Sequence, residues 1–201
     1  MFFRTTLCRP RRRDAWLAVV CGGAYVALGA AAVRDAGAWE RRSFRKVNQV
    51  RGVMPVLRLP QQMGTPWVLP AMGLVGFWTH RPQLAVSATL ALPLEKAMEV
   101  GVKKLSNRRR PAQAQRDARL RDDAPDSGPS YPSGHAGIAF AAVALAAPYL
   151  RPPVTGLLLC GATATTVTRV HQGAHYPLDA VGGALLGVAV GGTLNAVFGR
   201  P

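Results

Sequence analysis

Residues Ala15–Val33, AWLAVVCGGAYVALGAAAV, form an uncharged run of 19 residues closed by Asp14 and Arg34. A second run of 19, AVGGALLGVAVGGTLNAVF, covers Ala180–Phe198. A bilayer core of about 30 Å needs about 20 apolar residues, so both runs have spanning length. Neither shows the polar stripe that a helix of a soluble bundle presents to water. Between them lie Pro66–Thr79, Pro82–Leu94, Ala136–Leu150 and Pro153–Thr168, of 13 to 16 residues each. Alone these would suit buried core helices, but polar ends can extend them into an interface. Pro66, Pro82 and Pro153 stand where a first helical position suits proline, and the Gly and Ala content suits close packing in lipid. The expected fold is all-α: an integral membrane bundle of six transmembrane helices forming a single domain over 1–201, with a basic tail at 1–13.

The composition agrees. Of 201 residues, 49% are apolar and 17% charged, below the roughly 25% charged of a soluble domain. That apolar share excludes disorder, and 3 Cys exclude a disulfide scaffold. Cys21 and Cys160 fall in apolar runs and read as core-like thiols; Cys8 lies in the tail. The net charge of +15 is concentrated in short loops between the uncharged runs, an alternation that points to a membrane protein rather than a basic soluble one; membrane lipids are the expected partners, and no nucleic acid. Arg11–Arg13 followed by an apolar stretch resembles a signal peptide, but the run is long for one and further runs follow, so a retained first helix is expected. Segment 34–58 places Trp39, Phe44, Val47, Val50, Val53 and Leu57 among seven basic residues at partly helical spacing, which predicts an amphipathic helix on the membrane surface.

In a six-helix layout the loops after helices one, three and five share one face. Three polar clusters fall there, in segments 103–135 and 168–179. The first runs from Lys103 to Arg110-Pro111. The second is Pro132-Ser133-Gly134-His135. The third holds Thr168-Arg169, His175 and Asp179. Lys103, Arg110 and Arg169 are cations for phosphate oxygens, and Arg can grip two at once. Ser133 and Gly134 open a helix, whose N-terminal N–H groups bind anions. His135 beside them is placed for general acid catalysis. His175 and Asp179 are four apart, so on a helix they share a face. A carboxylate on one imidazole nitrogen would fix the tautomer and free the other for attack. Lys104, Arg108, Arg109 and His171 read instead as headgroup-facing or interfacial charges.

These clusters resemble the type 2 phosphatidic acid phosphatase superfamily of lipid phosphatases and vanadium haloperoxidases. The family pattern is Lys, six residues, Arg-Pro; Pro-Ser-Gly-His; then Ser-Arg, five residues, His, three residues, Asp. Only Thr168 departs, where Ser is usual, and Thr keeps a hydroxyl. The resemblance implies that His175 is the nucleophile forming a phosphohistidine, that Asp179 supports it, and that His135 protonates the leaving oxygen. Lys103, Arg110, Arg169 and Ser133–Gly134 would hold the phosphoryl oxygens, with no metal or cofactor. The implied activity is hydrolysis of a lipid phosphomonoester or diphosphate, of phosphatidic acid, phosphatidylglycerophosphate or polyprenyl type. The alternative is a polyprenyl-linked sugar phosphate phosphatase or lipid phosphotransferase of cell-envelope synthesis. The intact histidines oppose a non-catalytic lipid binder. Glu95, Lys96 and Glu99 could mark a transport pathway, but pairing of Lys96 with Glu99 and of Glu99 with Lys103 at helical spacing is the simpler expectation.

A multi-pass cell-membrane protein is expected, with the site extracytoplasmic as in the family and in keeping with the Arg-rich N-terminus. The full count of Lys and Arg, 16 on the catalytic face against 8 on the other, points the opposite way. No feature names an oligomeric state.

Overall fold

The computed structural model describes residues 12–32 and 35–198. Most of the 1–13 tail lies outside these, as do Val33, Arg34 and Arg200. In chain order the helices are α1 (Arg12–Ala32), α2 (Ala38–Asn48), α3 (Met54–Gln61), α4 (Val68–Trp78), α5 (Pro82–Ser106), the single turn α6 (Pro111–Ala114), α7 (Gly134–Ala146), α8 (Pro152–His171) and α9 (Pro177–Phe198). Among the described residues there are no strands.

Every apolar run forms a helix. Pro82 and Pro152 open α5 and α8, whereas α4 begins at Val68, two residues after Pro66. Two helices, α1 and α9, are long and apolar enough to cross a bilayer. The 11 residues of α4 rise only about 16 Å. With 25 and 20 residues, α5 and α8 have the length, but their C-terminal turns carry Lys103, Lys104, Arg169 and His171.

The centre of the bundle is α9, packed closely on α7 and on α1, with α5 against both α7 and α9. The packing follows from small residues. A Cβ on Gly183, Gly187 or Gly191 would come within 2.1, 2.2 and 2.6 Å of α7 or its cap, so glycine lets the two backbones approach. Tyr25, Leu69, Tyr131, Ile138, Leu145 and Leu186 fill the core around this seam. The outer faces stay apolar: Trp78, Phe77 and Leu157 are each more than 70% exposed. Cys160 is likewise exposed and Cys21 half-buried, so the expectation of core-like thiols is not met.

Segment 34–58 is not one helix. It breaks at Gly52, whose φ of +77° favours glycine, into α2 and α3. The buried face of α2 is Glu40, Phe44 and Asn48, at intervals of four, and it packs on α8 and α9. Asn48 donates through Nδ2 to Arg119 O (2.8 Å) and His171 O (2.9 Å), and accepts from Arg119 N through Oδ1. The polar side chains of this face are turned into the protein, where Asn48 braces the loop that follows α6.

Candidate active site

The three polar clusters meet at one end of the bundle, and hydrogen bonds stitch them together pairwise. Ser130 N donates to Arg108 O (2.8 Å), joining the second cluster to the first. Ser133 N donates to Asp179 O (2.9 Å), joining it to the third. Arg110 Nη1 donates to Ala174 O (2.8 Å) and closes the ring from first to third. Asn107 makes the sharp turn out of α5 in a left-handed conformation (φ 42°), which short polar side chains tolerate.

Each predicted residue has a defined setting. Lys103 Nζ donates to Glu99 Oε1 at 2.5 Å, and Lys96 pairs with the other oxygen of Glu99. The Glu99 carboxylate lies against Gly134, where a Cβ would fall 2.6 Å from it. Arg110 is buried, and burial leads the causes that hold its guanidinium below the ordinary arginine value. Arg169 is buried and donates to Asp123 (2.9 Å) and Gln172 (2.8 Å). Burial opposes ionisation of Asp123, yet Arg169 outweighs it and keeps that carboxyl below its usual range. Ser133 caps α7 without a side-chain capping bond. Its buried hydroxyl and the buried Nε of Arg169 have no protein partner. Leaving such donors unmet costs about 1–3 kcal/mol apiece, so an acceptor such as a phosphoryl oxygen suits them. His135, in the first turn of α7, is half-buried.

His175 departs from the expected geometry. It precedes α9, so it does not share a helical face with Asp179. Its Nδ1 lies 2.8 Å from Ser130 O and 3.9 Å from Asp179 Oδ2. A carbonyl only accepts, so Nδ1 carries the proton and Nε2 the lone pair. The tautomer is set by a backbone carbonyl; Asp179 acts as a nearby charge. Burial first, then the charges of Arg110, Arg169 and Lys103, hold the ring well below the ordinary histidine value of 6.5. The ring is therefore neutral, with an unprotonated Nε2.

Asp179 instead caps its own helix, accepting from Tyr176 N through Oδ2 (2.8 Å). Through Oδ1 it accepts from Arg108 Nη1 (2.7 Å). Arg108 is thus not a headgroup charge. It is 3% exposed and its Nη2 pairs with Glu40. Burial alone would weaken its guanidinium, but Asp179 and Glu40 outweigh that and hold it above the ordinary arginine value. Composition hides this role, because Arg108 sits in a run of three arginines and Glu40 is 68 residues away. His171 is also buried, with Nε2 2.9 Å from Val50 O. Lys104 and Arg109 are exposed as expected, Arg109 pairing with Asp35.

A helical bundle that gathers three cations, a helix N-terminus and a neutral buried histidine at one end defines an anion site built for phosphoryl chemistry. The chain belongs to the PAP2 superfamily, a family of phosphatases, whose family model matches residues 83–200. Its fold is similar to the crystal structure of Aquifex aeolicus LpxE, with a TM-score of 0.67 and 25% identity over 75% of this chain and 90% of that one. It is also similar to the first transmembrane PAP2 type phosphatidylglycerolphosphate phosphatase from Bacillus subtilis, with a TM-score of 0.50 and 20% identity over 90% of each chain. No curated protein matches the chain.

Proposed function

We propose that this protein is a membrane-embedded lipid phosphatase that works through a phosphohistidine and needs no metal. The observation that carries the reading is the His175 tautomer: Nδ1–H is spent on Ser130 O, which leaves Nε2 as a nucleophile among Arg110, Arg169 and Lys103. Nε2 attacks phosphorus while His135 gives a proton to the departing lipid oxygen; the N–P bond forms as the P–O bond breaks. His135 then takes a proton from a water molecule whose oxygen attacks phosphorus, releasing phosphate and restoring His175. The arginines, Lys103, Ser133 and the α7 N-terminus hold the phosphoryl oxygens, and supply the charge stabilisation that a metal ion gives elsewhere. Asp179 offsets the positive charge that develops on the imidazole.

Six spans are part of this reading. The exposed apolar faces of α4 and α8 support it, as does the membrane nature named for the Bacillus protein. The site is assigned to the extracytoplasmic face, as the resemblance implies, and reporter fusions after Arg51 and at Arg151 test that side. The substrate is a lipid phosphomonoester or diphosphate. Its test is phosphate release from a panel of lipid phosphates by the purified protein in detergent with EDTA, coupled to quench-trapping of labelled phosphohistidine. Release without a trapped intermediate, or activity abolished by EDTA and restored by Mg²⁺, overturns the mechanism.

A further inference from the structure

The site contains a buried charged row that the phosphoryl chemistry does not use directly: Glu40 on α2, Arg108 in the loop after α5, and Asp179 on α9. The side chains of all three are at most 3% exposed. Desolvating three charges is costly unless each is well bonded, and here both carboxylates and both terminal nitrogens of the guanidinium are bonded, while Arg108 Nε has no protein partner. Glu40 accepts from Arg108 through Oε2 and from Leu178 N through Oε1 (3.1 Å). Arg108 spans the two carboxylates, and its guanidinium carbon lies 5.3 Å from the centre of the Tyr176 ring. Phe44 packs edge-on against that ring (5.4 Å), and Gln115 Nε2 donates to the Tyr176 hydroxyl (3.1 Å). The guanidinium therefore has one orientation. The row carries one net negative charge, and its Asp179 end lies 3.9 Å from His175 Nδ1.

We propose that Arg108 and Glu40 are positioning residues of the reaction, fixing Asp179 as an oriented carboxylate whose charge faces His175. The inference rests on the phosphohistidine reading above and adds two residues to it, one of which, Glu40, lies outside the matched stretch 83–200. Without Arg108, Asp179 would be a fully buried carboxylate holding only the Tyr176 N–H and polar contacts around Ser130. It would take up a proton at higher pH than in the wild type, and once neutral it could no longer offset an imidazolium. Glu40 keeps Arg108 from swinging out of line. The other titratable or charged groups around Asp179 are Arg110 from the same loop, Tyr131 ahead of α7, and Tyr176 and His175 on the turn into α9. Of these, only His175 makes an ion-pair contact with Asp179, at 3.9 Å.

The experiment measures kcat, KM and the pH dependence of kcat/KM for Arg108→Met, Arg108→Lys and Glu40→Gln in detergent, on the lipid phosphate that the wild type turns over best. Folding is checked by gel filtration and thermal unfolding. Arg108→Met should lower kcat about 10–100-fold, as loss of an outer partner of a site does, with little change in KM. Its acid limb should move up by about 1–3 pH units, the usual effect of removing an opposite charge at contact distance. Arg108→Lys should return the acid limb toward the wild-type position while recovering only part of kcat, because ammonium cannot span both carboxylates. Glu40→Gln, which keeps the shape, should give a smaller kcat loss and leave KM unchanged. A purely structural role would lower activity by one factor at every pH. An active wild type whose folded Arg108→Lys and Glu40→Gln variants keep its kcat and acid limb overturns this inference alone. A wild type that releases no phosphate from any lipid overturns the phosphatase reading and this inference with it.

Discussion

Substituting Gly183 by Ala tests whether the approach of α9 to α7 sets the geometry of the site. A Cβ at Gly183 would lie 2.1 Å from the Ser133 carbonyl oxygen and 3.0 Å from Ala136 Cβ. Non-bonded carbon and oxygen rarely come within 3.0 Å, so the seam must open by about 1 Å at this point. The carbonyl cannot simply turn aside, because it accepts from Gly137 N (3.0 Å), and Ser133 N is bonded to Asp179 O. The opening is therefore imposed on the first turns of both helices, where Ser133, His135 and Asp179 sit. Gly191→Ala is the matched control: its Cβ would meet Ala144 Cβ at 2.6 Å, but two turns deeper, about 12 Å along the helix. Both variants should lose about 1–3 kcal/mol to overpacking, read as a lower Tm in detergent. Only Gly183→Ala should also lose kcat, on the order of 100-fold, the typical cost of a 1 Å misplacement of reacting groups. If phosphate release per folded molecule falls equally in the two variants, or not at all in Gly183→Ala, the seam does not control the chemistry.

His175→Ala should abolish both phosphoenzyme and turnover, whereas His135→Ala should recover part of its rate on p-nitrophenyl phosphate, whose leaving group needs little protonation; equal rescue of both variants would refute the assignment. Arg110→Lys should lose about 2–4 kcal/mol of transition-state binding, since Arg110 Nε and Nη1 are anchored to Ser127 O and Ala174 O (both 2.8 Å) in a planar geometry that an ammonium cannot copy; near-wild-type kcat/KM would place Arg110 outside the site. His175 is held well below 6.5 by burial and by Arg110, Arg169 and Lys103. It therefore stays neutral as pH falls, and the acid limb of kcat/KM, corrected for substrate ionisation, should lie below pH 6.5; a wild-type limb above that value that Arg108→Met leaves unmoved would show a protonated nucleophile rather than a protonated Asp179.

The sequence made the helices legible because apolar length and proline placement are local properties. The six runs, the opening of α5 at Pro82 and the start of α7 at Gly134 could all be read without tertiary information, whereas α8 opens at Pro152, one residue before the proline read as its first position. The Lys96–Glu99 and Glu99–Lys103 pairs could be read too, since helical spacing alone brings them together. What escaped reading depends on long-range contact. Arg108 and Arg109 are neighbours of one type, yet one is buried between two carboxylates and the other pairs with Asp35 on the surface. The His175 partner is a backbone carbonyl, which no residue pattern encodes. The four-residue interval to Asp179 suggested a helical face because the interval is helical, whereas Pro177 starts the helix only after His175. Gly52 was the available sign that segment 34–58 breaks in two. The burial of Glu40, Phe44 and Asn48 on one side of α2 was also present as a spacing, but the basic residues around it pointed to lipid.

The Glu40–Arg108 pair ties the first quarter of the chain to the loop that carries Arg110. A graft of residues 83–200 onto another amino-terminal half would carry both histidines, Asp179 and the three cations proposed to hold phosphate. It would still arrive with a buried arginine paired to Asp179 and no acid to meet its Nη2. Exchange of segments within this family would therefore need to move α2 together with the loop after α5, and a donor scaffold would have to supply an acid at the position of Glu40, one turn ahead of an aromatic that packs on Tyr176. The unit that can be inherited or swapped intact is longer than the stretch that holds the three motifs.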